Sequence, residues 1–475
     1  MCRGSDGHLK ETMEQGKITE NIRQELIDTT TAGSVWAFDD IPESYCCDAS
    51  ELRHTPELVV TARCREDVQA VVRLANVHGF PVTPRGGGSG LAGACLADRG
   101  GVLLSMERMN RIITVDKKNL VMEVEPGAVS SDVRDAAAAA GFFYPPDPAG
   151  MDKSTIGGNA ATDAGGPACL KYGTTRDYIL GLEAVLPTGD IITAGVKTRK
   201  GVVGYDMKNL IVGSEGTLGI ITALTLKIIP RPLATMGIMA VFRDMGSAME
   251  AVSGIMANGM LPCAMEFMDH KCLSLVRKRL PLSLPGKTPS VLIIEMDGHP
   301  SHVKEEINGI SERCKTLGAV SVLPANDHDQ RERLWEARRQ ISLKIHDYAA
   351  LYVSEDVAVP IASIAELVNS LAFFEKIYNL EIFAFGHAGD GNIHLNITAP
   401  SRQNSELVHK GITALLDFVL KLGGTISGEH GIGLAKKPFL PMELSSKSIA
   451  LQRGIKTLFD PANILNPGKV FDSTS

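Results

Sequence analysis

Residues 84–93 read PRGGGSGLAG, and they stand directly after a stretch patterned as strand, helix, strand. Between Val59 and Thr83, Val68, Val71, Val72 and Ala75 recur on one helical face, and Gly79 is placed to end that helix. The glycines at 86, 87, 88 and 90 leave backbone N–H groups bare and allow positive φ, so consecutive amides can converge on a diphosphate. A plain surface turn would use the same residues. The block matches neither G-x-x-x-x-G-K-[ST] nor G-x-G-x-x-G opening a helix, so neither a P-loop nor a nicotinamide-type dinucleotide unit is supported.

Working outward, Ile112–Val115 and Leu120–Val124 read as paired strands, and Ser131–Ala140 as a helix closed by Gly141. Strands at Ile179–Val185 and Ile191–Ala194 flank a Pro-Thr-Gly-Asp turn, and Gly219–Ile228 closes this region before Pro230 and Pro232. From Gly237 the glycine-rich loops stop, and strands (Ile238–Phe242, Val291–Met296) alternate with amphipathic helices (Ser247–Ala257, His302–Leu317) that need a core of their own. The last segment, Ser445–Val470, is a helix followed by FDPANILNPGKVF, and it is expected to pack back onto the first region. No internal repeat is evident. The class is α+β, and 475 residues call for more than one core.

Composition narrows the function. Hydrophobic residues at 44% and charged residues at 22% describe an ordinary globular chain, and a net charge of -7 with scattered Lys and Arg argues against a nucleic-acid partner. The nine cysteines are an odd set without a C-x-x-C pair, which points to free thiols in a reducing compartment and not to a disulfide framework or an iron–sulfur cluster. Met1–Lys17 is polar, without the apolar core of a signal peptide, and no run is long enough to span a bilayer. A cytoplasmic protein is the expectation, with attachment to a membrane through a partner left open and Met13 as a rival start.

A second glycine cluster, STIGGNAATDAGGPACLKYGTTRD, covers residues 154–177 after PPDP at 145–148, and a third, GSEGTLGII, covers 213–221. With NPGK near the end, these blocks resemble the FAD domain of the vanillyl-alcohol oxidase and p-cresol methylhydroxylase superfamily, and more narrowly its glycolate oxidase D-subunit and D-lactate dehydrogenase branch. The likeness runs from about Val59 to Val470. It implies an N-terminal extension and helix (1–54), a PCMH-type FAD-binding domain of two subdomains (55–232), a cap domain with an antiparallel sheet, helices and a metal site (233–444), and a C-terminal segment returning to the FAD domain (445–475). It further implies that Pro84, Arg85, Gly86, Gly87, Gly88, Ser89 and Gly90 cradle the pyrophosphate. Pro146, Ser154, Gly157, Gly158, Asn159, Asp163 and Gly165 would run along the flavin and ribityl chain, and Asp147, Gly166, Tyr172 and Gly173 would belong to the cofactor set. Glu215, Gly216, Gly219, Ile220 and Ile221 would finish the adenine side, with Asn466 joining the cofactor set.

In FAFGHAGDGNIHLNI (383–397), a four-residue loop at Ala388–Gly391 would set His387 opposite Asn392 and Phe385 opposite His394, so that these four and Asn396 share one side of a ribbon. The two imidazoles then become diagonal neighbours, as a structural pair or as ligands of one cation. GGTISGEHGIG (423–433) adds Glu429 and His430 on a glycine-flanked turn. Two histidines and a carboxylate form a three-ligand set with open positions, suited to zinc first and to iron or manganese as rivals. The resemblance assigns that role to His387, His394 and Glu429. Imidazole titrates where an alcohol proton can be taken at neutral pH, which makes His430 the candidate base, with Asn396 counted in the catalytic set. Asp390 either supports a ligand or only shapes the turn.

A 2-hydroxy acid needs a cation for its carboxylate, and LWEARRQI (334–341) offers Arg338 and Arg339 on a helix. The resemblance singles out Arg338. One departure bears on the substrate: where relatives specific for five-carbon dicarboxylates carry a lysine before Asp-x-x-x-Pro, this chain has Ser354, in SEDVAVP. The expectation is FAD-dependent oxidation of a small D-2-hydroxy acid, D-lactate- or glycolate-like, by hydride transfer to flavin N5. Electrons would pass to an electron-transfer flavoprotein, a quinone or an iron–sulfur subunit, and a homodimer is compatible. The rivals are a 2-hydroxyglutarate-type dehydrogenase, an alkyl-dihydroxyacetonephosphate synthase type, whose run of adjacent histidines is absent, a non-catalytic flavin-binding subunit, and a flavin-free metal-dependent hydrolase. Relatives with covalent flavin carry a histidine in the first loop, where Gly88 and Ser89 stand here. Acid precipitation is therefore expected to release FAD into the supernatant; a yellow pellet would mean a covalent link.

Overall fold

The computed structural model describes residues 16–36, 40–50, 52–280, 288–325, 327–348, 351–401 and 405–472. Most of the polar N-terminus, with Cys2 and the rival start at Met13, lies outside them. Strands Leu58–Thr61, Val102–Ser105 and Val82–Arg85 run parallel side by side, with Val35–Trp36 antiparallel at the edge. Helix Arg65–His78 connects two of them. It buries Val68, Val71, Val72 and Ala75 completely and ends at Gly79, whose φ of +74° a side chain would resist. Helix Glu20–Thr29 adds Ile22 and Leu26 to this core, and Ile464 and Leu465 complete it from the far end of the sequence.

That last contact is built on backbone hydrogen bonds: the Val82 N–H donates to the Ile464 carbonyl at 2.8 Å, and the Asn466 N–H donates to the Val82 carbonyl at 2.8 Å. Asp460 turns the chain out of helix Ser446–Phe459 by accepting from the N–H groups of Ile464 and Leu465. A second, antiparallel sheet is ordered Ile112–Asp116, Val121–Val124, Ile220–Lys227, Ile179–Val185, Ile191–Gly195. Helices Ser130–Ala139 and Ile156–Thr162 pack over it.

The third large sheet has seven antiparallel strands, in the order Ser321–Ala325, Ala234–Phe242, Ser290–Gly298, Ala264–Met268, Glu381–His387, Asn392–Ala399, Leu351–Ala358. Its two halves follow the same β-α-β-β-α-β course, with the final strand of the second half reduced to a bridge between Ala358 and Thr425. In each half the spatial order is fourth, first, third, second, and the halves join through their second strands, Ala264–Met268 and Glu381–His387. The reading that the chain holds no internal repeat is corrected at the level of topology. Only the apolar pattern needs to repeat for such a fold, so the residues themselves need not match.

Alternation along these strands divides the sheet into two faces. Ile382, Ala384, Ile393 and Leu395 join a core under the helices Met245–Ala257, Pro300–Thr316, Ile364–Tyr378 and Ser405–Lys421. Phe383 and Phe385 look the other way, toward Leu334, Ala337, Ile341 and Ile345 of helices His328–Arg339 and Ile341–His346. Among the described residues no helix is long and apolar enough to cross a membrane, and Cys46, Cys47, Cys64, Cys95, Cys169, Cys263, Cys272 and Cys314 are free thiols. Leu465 is fully buried in the first core. Leu465→Ala is expected to cost about 2–5 kcal/mol and to lower the urea midpoint of unfolding; an unchanged midpoint would mean that the C-terminal segment contributes nothing to that core.

Candidate active site

The hairpin Glu381–His387 and Asn392–Ala399 has the register expected of it, His387 opposite Asn392, Phe385 opposite His394 and Phe383 opposite Asn396. The rings of His387 and His394 lie 5.2 Å apart, nearly perpendicular. This hairpin lies inside the seven-stranded sheet with a strand on each side, so each histidine meets a residue of a neighbouring strand: Glu266 stands opposite His387, and Asp356 opposite His394. Asp390 accepts from the Asn392 N–H at 3.2 Å and so shapes the turn.

Glu266 is fully buried, hydrogen-bonded to Nδ1 of His387 and, at 2.8 Å, to Nε of Arg338. Burial alone would raise its carboxyl, but the charges of His387 and Arg338 outweigh that and hold it at about 2. The same pairing with Glu266, joined by Glu429, holds His387 well above its ordinary range against the opposing effect of burial. Arg338 lies with its guanidinium 4.3 Å over the ring of Phe385. Arg339 instead pairs with Glu332 at the surface, its side chain 54% exposed. The helix therefore turns Arg338 inward and Arg339 out.

Asp356 organises the turn that carries Glu429 and His430. Its Oδ2 accepts from the backbone N–H groups of Gly428 (2.9 Å), Glu429 (2.7 Å) and His430 (3.0 Å), while Oδ1 accepts from Nδ2 of Asn392 at 2.6 Å and lies 3.5 Å from Nδ1 of His394. Burial opposes this charge, but His430, His394 and Lys436 together keep the carboxyl well below the usual carboxylate range. Lys436 is buried too, and its Nζ donates to the carbonyls of Asp356 and Ile426.

Within this frame Glu429 Oε1 is 3.6 Å from Nε2 of His387 and 3.6 Å from Nε2 of His394. Ligand atoms about 2.0–2.2 Å from a tetrahedral zinc ion stand roughly 3.4 Å from one another, so these two separations to Glu429 are of the right size for a shared cation. Nε2 of His387 is buried with no hydrogen-bond partner, as is Nδ1 of His430. Asp356, His394, Glu429 and His430 also converge, with donor atoms within 4.8 Å of one another. The Asp356 carboxylate already serves three N–H groups and Asn392, which leaves His387, His394 and Glu429 as donors that could hold a cation. Each of the two histidines then has a carboxylate behind it, the arrangement that fixes the tautomer of metal-binding imidazoles. His430 stacks on His394 with ring centres 5.4 Å apart, and burial holds its imidazole below the ordinary value despite Asp356.

The glycine-rich loops line a cleft of about 1340 Å³ whose wall also includes Glu429 and His430. Of the residues expected to hold the cofactor, Pro84 to Gly90, Ser154, Gly157, Gly158, Asn159, Gly165, Glu215, Gly216, Gly219, Ile220 and Ile221 line it. Pro146, Asp147, Asp163, Gly166, Tyr172, Gly173 and Asn466 do not. Asp163 ends helix Ile156–Thr162 and pairs with Arg176 at 2.8 Å; Tyr172 donates to Asp297 at 2.7 Å; Asn466 donates to the carbonyls of Ala94 (2.8 Å) and Glu215 (2.7 Å). Arg85 also lines the cleft, and its Nη2 donates to the carbonyls of Ser44 (2.7 Å) and Cys47 (2.8 Å), so the guanidinium braces that loop. Burial raises Asp147 to about 7, beside the Ala168 N–H.

Glu215 lies in the cleft wall, yet its carboxylate accepts from the N–H groups of Ile432 (2.7 Å) and Gly433 (2.8 Å) in the loop after His430. A Cβ on Gly165 would collide with the Glu429 carboxylate, so that glycine permits the two lobes to meet. Reading by residue type missed Glu266, Asp356 and Lys436. Glu266 had a signal, as the lone charge in the apolar run CAMEFM, and Asp356 sits in a segment noted only for Ser354. Lys436 had none.

Residues 56–195 match a family described as FAD binding domain, and residues 231–470 match FAD linked oxidases, C-terminal domain. Glycolate oxidase subunit GlcD of Bacillus subtilis is 37% identical, across 96% of this chain and 97% of its own length. D-lactate dehydrogenase of Anaerostipes hadrus is 36% identical, across 91% of this chain and 93% of its own. The solved structure of p-cresol methylhydroxylase with substrate bound shares the fold at a TM-score of 0.78 and 19% identity, covering 95% of this chain and 96% of that one.

Removing the carboxylate at the seam leaves the buried Arg338 guanidinium without its counter-charge and Nδ1 of His387 without its partner. Glu266→Ala is expected to lower stability by about 3–5 kcal/mol in urea unfolding, because the cost of an uncompensated buried charge exceeds that of the lost contact. A loss below about 1 kcal/mol would mean that Arg338 and His387 are held by other groups.

Proposed function

Because the chain belongs to the FAD-linked oxidase family and is an oxidoreductase of the glycolate oxidase GlcD and D-lactate dehydrogenase type, we propose that it oxidises a small D-2-hydroxy acid to the matching 2-oxo acid. The observation that carries this reading is the shared cleft: the glycine-lined wall and the pair Glu429 and His430 bound one space.

The residues fit FAD. The cleft wall is rich in glycine and so in exposed backbone, and a Cβ on Gly90 would stand in open space. With Gly88 and Ser89 where a covalent linkage would need a histidine, the cofactor is held non-covalently. When bound, it supplies the hydride acceptor. His387, His394 and Glu429 would hold a divalent cation, zinc by donor type, which would lower the pKa of the substrate hydroxyl.

The chain's own groups divide the remaining work. His430 takes the hydroxyl proton at Nδ1, the atom left without a hydrogen bond, and burial keeps that imidazole neutral and ready to accept. Arg338 has its Nε fixed by Glu266, so its remaining N–H edge is the one available to the substrate carboxylate. Asn396 has its Oδ1 engaged by the Tyr352 hydroxyl at 2.5 Å, which leaves its buried Nδ2 as a donor toward the site. Ser354 stands opposite Asn396 on the neighbouring strand. A lysine there would offer a second cation; serine does not, which favours D-lactate- or glycolate-like acids over 2-hydroxyglutarate. Electrons leave to a separate acceptor, for which an electron-transfer flavoprotein, a quinone and an iron–sulfur subunit are the candidate classes.

Anaerobic mixing with D-lactate is expected to bleach the oxidised flavin band faster than mixing with D-2-hydroxyglutarate or L-lactate. His430→Ala should keep the bound flavin and lose about a hundred- to ten-thousand-fold in bleaching rate. Bleaching by 2-hydroxyglutarate alone would overturn the substrate class, and a fast His430→Ala variant would remove that histidine from proton transfer.

A further inference from the structure

Residues 195–206 read GVKTRKGVVGYD, and every one of them is exposed. Val202, Val203 and Tyr205 are 96%, 100% and 92% accessible, and Val196 of the same loop is half exposed, whereas the remaining large exposed apolar side chains are spread over several separate helices and loops. Single exposed apolar residues are ordinary on a protein surface, but neighbours left this fully in water mark a surface that something covers.

The loop is held outward at both ends. It leaves Ile191–Gly195, the edge strand of the five-stranded sheet, and it returns at Asp206, which caps helix Met207–Ile211 by accepting from the Asn209 N–H at 3.1 Å. Thr198 donates to the Lys200 carbonyl at 2.8 Å, an internal bond that supports the bend before the tip. Ile211, at the end of that short helix, lines the glycine-rich cleft.

Its charge runs against that of the chain. The whole protein carries -7, but this loop sets Lys197, Arg199 and Lys200 against Asp206 alone. Lys197 is paired with Glu123, while Arg199 and Lys200 have no ion-pair partner among the described residues. An apolar tip beside unpaired basic residues matches the layered chemistry of an anionic bilayer, with lipid phosphates at the level of the cations and acyl carbon below. Tyrosine, amphipathic in the same sense, suits the boundary. A second copy of this chain is disfavoured, because a twofold contact through the tip would bring like charges together. A rigid protein partner is disfavoured by size. Stable interfaces bury roughly 800 Å² on each side with complementary shape and a core poor in lysine, whereas a narrow tip needs only a fluid surface.

We propose that this loop docks the protein onto anionic phospholipid, with Val202, Val203 and Tyr205 entering the headgroup region and Arg199 and Lys200 engaging lipid phosphates. The proposal is independent of the substrate reading, since it uses no residue of the cleft's chemistry. It sets the cleft wall at Ile211 close to the lipid.

The test is sedimentation of the holoenzyme with vesicles of equal parts phosphatidylcholine and phosphatidylglycerol, against vesicles of phosphatidylcholine alone. The expected result is pelleting with the anionic vesicles at low salt, weakening as salt is added, and none with the neutral ones. The double variant Val202→Asp, Val203→Asp should weaken binding by more than roughly tenfold, and Arg199→Glu and Lys200→Glu by about fivefold each, all with flavin colour retained. Val203→Trp should show a blue-shifted emission on anionic vesicles. A holoenzyme that stays in the supernatant at low salt, or a double aspartate variant that pellets like the parent, overturns the proposal. Loss of self-association in the aspartate variant without any vesicle binding overturns it too, and assigns the tip to a protein contact.

Discussion

Three backbone N–H groups in succession, those of Gly428, Glu429 and His430, converge on one carboxylate oxygen of Asp356. The amides of this tight turn have no strand or helix partner, and a buried one left without a hydrogen bond would cost about 1–3 kcal/mol. A buried carboxylate left unpaired would be worse. Each side therefore answers the other's desolvation, and the product is a rigid turn that presents Glu429 and His430 at the edge of the sheet. The same aspartate lies beside Nδ1 of His394. One side chain thus sets the positions of a carboxylate and two imidazoles.

A parallel arrangement operates at the seam of the seven-stranded sheet. Two β-α-β-β-α-β units meet there, and Glu266 from the first faces His387 from the second. Buried charge at a joint between two units is weak evidence for stability but strong evidence for fixed orientation, because Arg338 and His387 must both point at the same carboxylate. The seam therefore brings residues of three separate segments, at 266, 338 and 387, into one small volume. Topology, more than any local motif, produces the histidine pair's surroundings.

Closure between the lobes comes from polar contacts at several points. Glu215 receives the N–H groups of Ile432 and Gly433, Asp297 receives Lys171 and Tyr172, and Gly165 gives Glu429 room to approach. Glu215 links the wall of the cleft to the turn that carries His430. The chemistry proposed for the cleft depends on that link, since a base displaced by even about 1 Å loses much of its effect.

Much of this was legible in the order of residues. The hairpin of His387 and His394 followed from period-two alternation around a four-residue loop, and the first strand, helix and strand followed from helical spacing ended by Gly79. The glycine blocks announced a backbone-lined cleft, because glycine is the residue that lets amides approach a ligand. Local pattern and backbone permission are what a sequence by itself determines, and they determined the elements, the cleft and the histidine ribbon here. Only the tertiary structure decided that Arg85 turns to the carbonyls of Ser44 and Cys47, that Tyr172 and Asn466 join walls instead of lining the cleft, and that Glu266 and Asp356 stand behind the two histidines. Those outcomes depend on contacts between segments far apart in the chain, where a charged side chain takes whichever partner best offsets its loss of water, and no spacing along the sequence records that choice.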